Sequence, residues 1–499
     1  MPDGIRASDI ARTGNDLEKS LHSRYDPHAE AVRFIDSLQL KNSIECFILI
    51  EPGFGFLIPV LKERFPDSKI IILHAEKNLS KDKITSGCAV YYNSSSGILS
   101  NSQTSEIKKF LESNVPETDV SKIKIIEWRP SMNYFKESYL ILITQVVEFL
   151  KRLDAGKRTL AVFGKRWFKN FFRNIDNVKN TVFYNKTCLP VIVTGSSPNL
   201  EQVLPLIASI QDYCLIISAS SSVMALSRAC IKPDLIIATD GGNWARKHLQ
   251  SAVSDTANKK LNDSLKQSAR LNKYAFAVNL CAALPSQLFC DPFLIINDGS
   301  FWQSVILHEL SLPSVIIGQR GTVSATAAEL AMLLSDGNIY LAGMDFANND
   351  IRTHVKPYAF DGIFSGYANR FIPVYSTAFK RSSLLKEGGS FNIYETWFKD
   401  QLSSWRKIYS LTDHKIFTKA TPENLSVKKN INDIIGVTAN NENSAQFRKK
   451  SADILLSAID NPNFSDNIKN ELSSLLFPSN SNNVTKEELK NKILEVIRN

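Results

Sequence analysis

Cysteine is sparse in this chain of 499 residues: there are seven, scattered, with no CxxC pair and no His/Cys grouping at zinc spacing. A disulfide scaffold and a structural zinc site are therefore not expected. Cys214, Cys230 and Cys281 sit inside apolar runs and read as buried, reduced thiols of a cytoplasmic protein. Long hydrophobic runs are missing too. The longest near a helix, Tyr139 to Leu150, is interrupted by Thr144, Gln145 and Glu148 and is too short to span a bilayer. The N-terminus, Met1-Pro2-Asp3-Gly4, has no basic region followed by an apolar core, so a signal peptide is not expected. Nor is there a dinucleotide fingerprint or a Gly-Lys-Ser/Thr phosphate loop, and no basic stretch is interleaved with aromatics as in nucleic-acid binders.

Apolar residues make up 43%, enough for large cores without a metal or disulfide staple, and the length suggests roughly three domains. The net charge of +9 is unevenly spread. Lys151, Arg152, Lys157, Arg158, Lys165, Arg166, Lys169, Arg173 and Lys179 are answered only by Asp154 and Asp176. Such a run attracts membranes, acidic partners or nucleotide sugars, but the plainer reading, a solvated helix face, comes first.

The most informative stretch is Val191 to Asp240. Val191-Ile192-Val193 reads as a buried strand, and Thr194-Gly195-Ser196-Ser197-Pro198-Asn199 as a tight turn. A helix follows with Leu200, Val203, Leu204, Leu206 and Ile207 at helical spacing. Leu215-Ile216-Ile217 is a second strand, Ser222 to Cys230 a second helix, and Leu235 to Ala238 a third strand ending at Thr239-Asp240. These are two consecutive βαβ units. In such sheets ligands sit beyond the carboxyl ends of the strands, and free amides at a helix N-terminus favour an anion. Gly195 with two serines lets a phosphate approach the backbone, or it only makes a tight turn capped by Ser197 or Asn199.

Earlier in the chain, strand Cys46 to Ile50 leads into Glu51-Pro52-Gly53-Phe54-Gly55-Phe56, and strand Lys69 to Leu73 ends at His74-Ala75-Glu76. Gly53, Gly55 and Glu76 suit a nucleotide or S-adenosylmethionine, or the turn only makes room for close helix and strand packing, since Phe54 and Phe56 would crowd a ligand. Ile123 to Trp128 reads as a further strand, and Met132 to Arg173 as helix bridging two sheets. Later, strand Tyr274 to Val278 ends at Asn279 and Phe293 to Ile296 is another strand. Ser314 to Ile317 leads to the small-residue turn Gly321-Thr322-Val323-Ser324 and a helix, and Asn338 to Leu341 ends at Gly343-Met344-Asp345. Two small-residue turns opening helices, with Asp240 and Asp345 closing strands, point to a site rather than to packing alone. The polar loop Thr353-His354-Val355-Lys356-Pro357-Tyr358 adds a histidine suited to acid/base work, or to nothing more than a surface.

The expected fold is α/β: two Rossmann-like domains and a C-terminal helical region. The expected boundaries are 1–180, 181–381 and 382–499, the last serving partner or self contacts.

In order, Thr194 to Leu200, Ile231 to Asp240, Gly321 to Ala327 and Leu341 to Phe346, with Thr353-His354 after them, resemble the motifs of the motility-associated factor (Maf) glycosyltransferases. The first turn reads Gly-Ser-Ser-Pro where that family more often shows Gly-x-Gly-Pro-Ser, and Met344 stands where a polar residue is common. The resemblance implies a sialyltransferase-like central domain and transfer of a nonulosonic acid, pseudaminic, legionaminic or sialic in type, from a CMP-activated donor to Ser/Thr of flagellin in the cytoplasm, in support of flagellar assembly and motility. It implies donor contacts from Thr194, Gly195, Ser196, Ser197, Pro198, Asn199, Asn279, Gly321, Thr322, Val323, Ser324 and Thr353. His354, Asp345 and Asp240 become the catalytic candidates, with His354 or an aspartate as base. A divalent metal is possible but not required, because the leaving group is a monophosphate. Partners would be flagellin and the nucleotide sugar, with no nucleic acid and no membrane span. Archaeal pterin pyrophosphokinases resemble the same central domain and form the alternative, with ATP and magnesium held by paired carboxylates. A flagellin-binding chaperone on the same fold is the non-enzymatic alternative.

Overall fold

The computed structural model describes residues 21–75, 85–93, 101–116, 118–178, 180–250, 275–290, 293–347, 351–387, 390–401, 405, 407–439, 446–478 and 484–498. Two compact units emerge, residues 1–159 and 160–499.

In the first unit, β1 (Cys46–Ile50), β2 (Lys69–His74), β3 (Ala89–Tyr92) and β4 (Ile123–Glu127) form a parallel sheet in the order β3-β2-β1-β4. β1 is buried along its whole length, as its unbroken apolar sequence requires. Helices α1 (Pro27–Ser37) and α2 (Leu57–Arg64) pack Ala31, Ile35, Leu57, Ile58 and Leu61 on one face. The other face carries α3 (Asn101–Asn114), together with Tyr139, Leu142, Val146 and Phe149 of α5 (Lys136–Ile175), the helix that follows α4 (Arg129–Tyr134) and continues past the unit boundary. Most cations of the basic run lie on the exposed face of α5, where Arg158 pairs with Asp154.

The second unit is built on a sheet of ten strands. β5 (Asn180–Tyr184) and β6 (Val191–Thr194) come first. Next are α6 (Leu200–Ile210), β7 (Leu215–Ala219), α7 (Val223–Arg228), β8 (Leu235–Ala238), β9 (Ala275–Val278) and β10 (Phe293–Asn297). α8 (Phe301–Glu309), β11 (Ser314–Ile316), α9 (Val323–Leu334) and β12 (Ile339–Ala342) follow. After them come α10 (Asp361–Gly366), α11 (Val374–Glu387), α12 (Ser390–Gln401), β13 (Ile408–Ser410), α13 (Ile431–Ile434) and β14 (Ile435–Ala439). Three helices close the chain: α14 (Phe447–Asp460), α15 (Ser465–Leu476) and α16 (Lys486–Arg498). The strand order is β13-β12-β6-β7-β8-β9-β10-β5-β14, with β11 also on β10; every pairing is parallel except β14 with β5.

Alternation along the strands divides the core. Val191, Val193, Ile217 and Ile237 meet Ala325, Ala328, Leu330 and Ala331 of α9 on one face. Ile192 and Ile216 meet Leu200, Val203 and Ile207 of α6 on the other, and farther along Phe276, Phe293 and Ile295 pack in one cluster with α8, α14, α15 and α16. The stretch 382–499, expected to be helical, thus also supplies two strands of this sheet. No helix among the described residues is long and apolar enough to cross a membrane.

Candidate active site

β6 and β12 are neighbours, yet the chain leaves β6 towards β7 and leaves β12 towards β13, on opposite sides. Their carboxyl ends therefore make the topological switch point of the sheet, where open α/β folds leave a crevice. Thr194 lies opposite Ala342 in the register, so the turn at 195–199 and the turn at 343–345 emerge side by side.

They are laced together. Gly195 N–H donates to Ala342 O at 2.8 Å, and Ser197 N–H to Gly343 O at 2.8 Å. A Cβ at Gly195 would lie 2.4 Å from Gly343 O, and one at Gly343, whose φ is +65°, 2.8 Å from Leu200 Cβ. Gly195 thus serves the close approach of two loops, and its own amide is taken by Ala342 O. Among the described residues the amides of Ser196 and Asn199 have no hydrogen-bond partner, so any anion capture by this turn falls to them and to the Ser197 hydroxyl. Pro198 is buried, and Thr194 is fully buried with its hydroxyl 3.0 Å from Ser222 Oγ. Both support the turn from beneath.

The Thr-His loop is fastened to the same turn. Val355 N–H donates to Ser196 O at 2.8 Å, while Glu201 in the first turn of α6 accepts from Arg352 Nη1 at 3.0 and 3.1 Å and from Lys356 N–H at 3.0 Å. His354 Nδ1 is 2.7 Å from Thr353 Oγ1, and its ring stacks on Tyr358 at 4.2 Å. Burial first, then the charges of Arg381, His248 and Lys356, push His354 down to about 3. It is a neutral imidazole at pH 7. His248, stacked on Phe360 at 4.5 Å, falls to about 4 through burial and Arg381.

Asp345 is held from β13. Thr412 Oγ1 donates to its Oδ1 at 3.0 Å, while Oδ2 is buried without a hydrogen-bond partner. Burial raises this carboxyl above the usual range, opposed by the Thr412 hydroxyl, His414 and Asn199. His414 Nδ1 accepts from Ile416 N–H at 3.0 Å, so its proton sits on Nε2, which donates to Met344 O at 3.2 Å. Thr412 and His414 escaped the sequence reading because they lie in the stretch read as helical.

The remaining candidates occupy the same edge but stand apart. Asp240, beyond β8, is exposed and accepts from Gly242 N–H at 2.8 Å; its charge also raises Tyr394 on α12, behind burial as the larger cause. Asn279, beyond β9, turns its side-chain oxygen to Cys281 N–H at 2.7 Å. Gly321, with φ +71° and open space where a Cβ would go, precedes Thr322, which caps α9 by accepting from Ser324 N–H; Val323 is the first residue of that helix. Among the described residues no group of three His, Cys, Asp or Glu is placed to hold a metal.

In the first unit the turn after β1 is occupied. His22 Nε2 accepts from Phe54 N–H at 3.0 Å and fills the space beside Gly53, where a Cβ would lie 2.4 Å from it. Gly53 there accommodates an imidazole of the chain itself. Glu76 lies outside the described residues.

Residues 165–350 match the family described as 6-hydroxymethylpterin diphosphokinase MptE-like. An uncharacterized protein of Treponema pallidum (strain Nichols) is 26% identical over 271 residues, 53% of this chain and 56% of that protein. The chain thus spans little more than half the length of the curated relative it matches. Among solved structures, the MAf glycosyltransferase from Magnetospirillum magneticum AMB-1 is similar at 12% identity and a TM-score of 0.49, over 97% of this chain and 77% of that one.

Proposed function

We propose that the chain is a cytoplasmic glycosyltransferase that moves a nonulosonic acid from a CMP-activated donor to serine or threonine hydroxyls of flagellin. One observation carries the reading: the hydrogen bond from Val355 to Ser196 seats the Thr353-His354 pair beside the first turn at the switch point. The Maf-like motifs identified in the sequence therefore lie on one edge with a neutral imidazole among them. On this reading the Ser196 and Asn199 amides and the Ser197 hydroxyl meet the donor phosphate, the cap of α9 at Gly321 to Ser324 offers further donors, and Asn279 and Asp240 face ribose or base. Asp345, engaged with Thr412, orients the loops.

The acceptor oxygen bonds to the anomeric carbon as the bond to the phosphate oxygen breaks, its electron pair leaving with CMP. The hydroxyl proton passes to Nε2 of His354, whose Nδ1 is held by Thr353. Amide donors at the departing phosphate lower the barrier electrostatically. A monophosphate leaves without needing a metal.

Intact mass of flagellin co-expressed with this protein and supplied with CMP-nonulosonic acids tests the reading. A sugar-sized increase is expected, lost in Ser197→Asp, which puts a negative charge where the phosphate would sit; no increase with any donor from folded protein sinks it.

A second reading, a pterin diphosphokinase, is favoured by the family match over residues 165–350. It needs carboxylates that share a magnesium ion. Asp345 and Asp240 follow β12 and β8, three strand spacings apart, about 14 Å, too far to share one. Formation of AMP from ATP and a hydroxymethylpterin would favour it.

A further inference from the structure

Arg381 on α11 is a cation in an aromatic setting. Its guanidinium carbon lies 5.4 Å from the ring centre of Tyr358, 5.8 Å from Phe360 and 5.0 Å from Phe364. One Nη2 donates to Tyr358 Oη at 3.3 Å. A guanidinium carries five N–H donors and stays charged at any working pH. Among the described residues no carboxylate pairs with it, whereas Arg320 and Arg352 each hold a glutamate. Aromatic faces stabilise such a cation only in part and leave its in-plane donors for an oxyanion.

His354 shares the Tyr358 ring with Arg381. Resting on the donor reading above, we infer that Arg381 receives the carboxylate of the acidic sugar, and that seating this anion turns His354 into an effective base. Two anions of the donor are chemically suitable, the sugar carboxylate and the phosphate. Direct displacement decides between them: the base lies on the side of the anomeric carbon away from the leaving phosphate, so the group beside it is the carboxylate on that same carbon. Burial is the first reason His354 stays unprotonated and the Arg381 charge the second; a negative charge on Arg381 cancels that second cause. The other groups facing His354 are His248 and Lys356, the latter bonded to Asp361, with Thr353 and Tyr358 as uncharged neighbours.

The test is calorimetric titration of the full chain and of Arg381→Gln and Arg381→Lys with three probes: the CMP-nonulosonic acid, CMP alone, and the donor with its carboxylate converted to the amide. Wild type is expected to bind the acid donor about 10- to 100-fold more tightly than the amide. Arg381→Gln should lose that preference while binding CMP unchanged, and Arg381→Lys should keep part of it. In spectra of histidine-labelled protein, the donor should move the His354 titration upward in wild type and not in Arg381→Gln. An Arg381→Gln protein that still prefers the acid donor overturns the inference, as does one that weakens CMP equally. A wild type that binds neither CMP nor the donor overturns instead the donor reading beneath it.

Discussion

The amide of Ser197 donates to the carbonyl of Gly343 at 2.8 Å. This bond and its companion from Gly195 to Ala342 join the ends of two strands whose connections diverge, so the crevice wall is fixed by the backbone. Gly195→Ala should therefore cost about 1–3 kcal/mol in urea unfolding, since its methyl meets Gly343 O at 2.4 Å and the loops must part. An unchanged midpoint would mean that the loops separate freely.

Glu201 is half-exposed, and an ion pair of that kind contributes about 1 kcal/mol at most. Glu201→Gln should leave the melting temperature within a few degrees of wild type, yet speed hydrogen exchange at residues 352–356 and lower transfer activity. Unaltered exchange would show that the Thr-His loop is held by Val355 alone.

Acid should destabilise the second unit through its histidines. His354 and His248 titrate near 3 and 4 when folded, against about 6.5 when unfolded, so unfolding takes up protons between those limits. The stability they contribute is whole above about pH 6.5 and drains away towards pH 4 for His248 and pH 3 for His354. His354→Asn should remove about one proton from that uptake near pH 5, flattening the slope of stability by about 1.4 kcal/mol per pH unit. Denaturant titrations at pH 7, 6 and 5 measure it.

Asp345 works with the opposite sign, because burial raises its folded value. Asp345→Asn keeps an oxygen for Thr412 and removes a desolvated charge, so at pH 7 it should be as stable as wild type or up to about 1 kcal/mol more so. Activity should fall nonetheless, the signature of a charge kept for function.

Thr412→Val probes the same contact from the other side. It leaves Asp345 with neither oxygen satisfied by a hydroxyl, at a cost of about 1–3 kcal/mol that shrinks to about 1 kcal/mol in the Asp345→Asn background, where the acceptor is an uncharged amide oxygen. Full additivity of the two changes in a double-mutant cycle would dissolve the proposed link.

The strands were legible because Val191–Thr194, Leu215–Ala219 and Leu235–Ala238 are apolar runs buried on both faces, and the turn at Gly195 was legible as a turn. Its purpose was not, since a glycine that admits a ligand and one that admits another loop look alike in sequence. Glu201 likewise reads as an acid complementing a helix dipole, with nothing to announce Arg352. His22 fills the turn at Phe54 from 32 residues away, and Thr412 reaches Asp345 from 67 residues away. Such distant pairings follow no period. Arg381 was missed because a cation on a polar helix is unremarkable until its surroundings prove to be rings.

β14 pairs antiparallel with β5, the first strand of its own unit, and β13 brings Thr412 to Asp345. As the chain leaves the ribosome, the switch-point strands emerge long before the segment that completes them. The crevice is thus assembled late: a nascent chain that has already folded β6 to β12 still lacks the hydroxyl that holds Asp345 until β13 has joined the sheet.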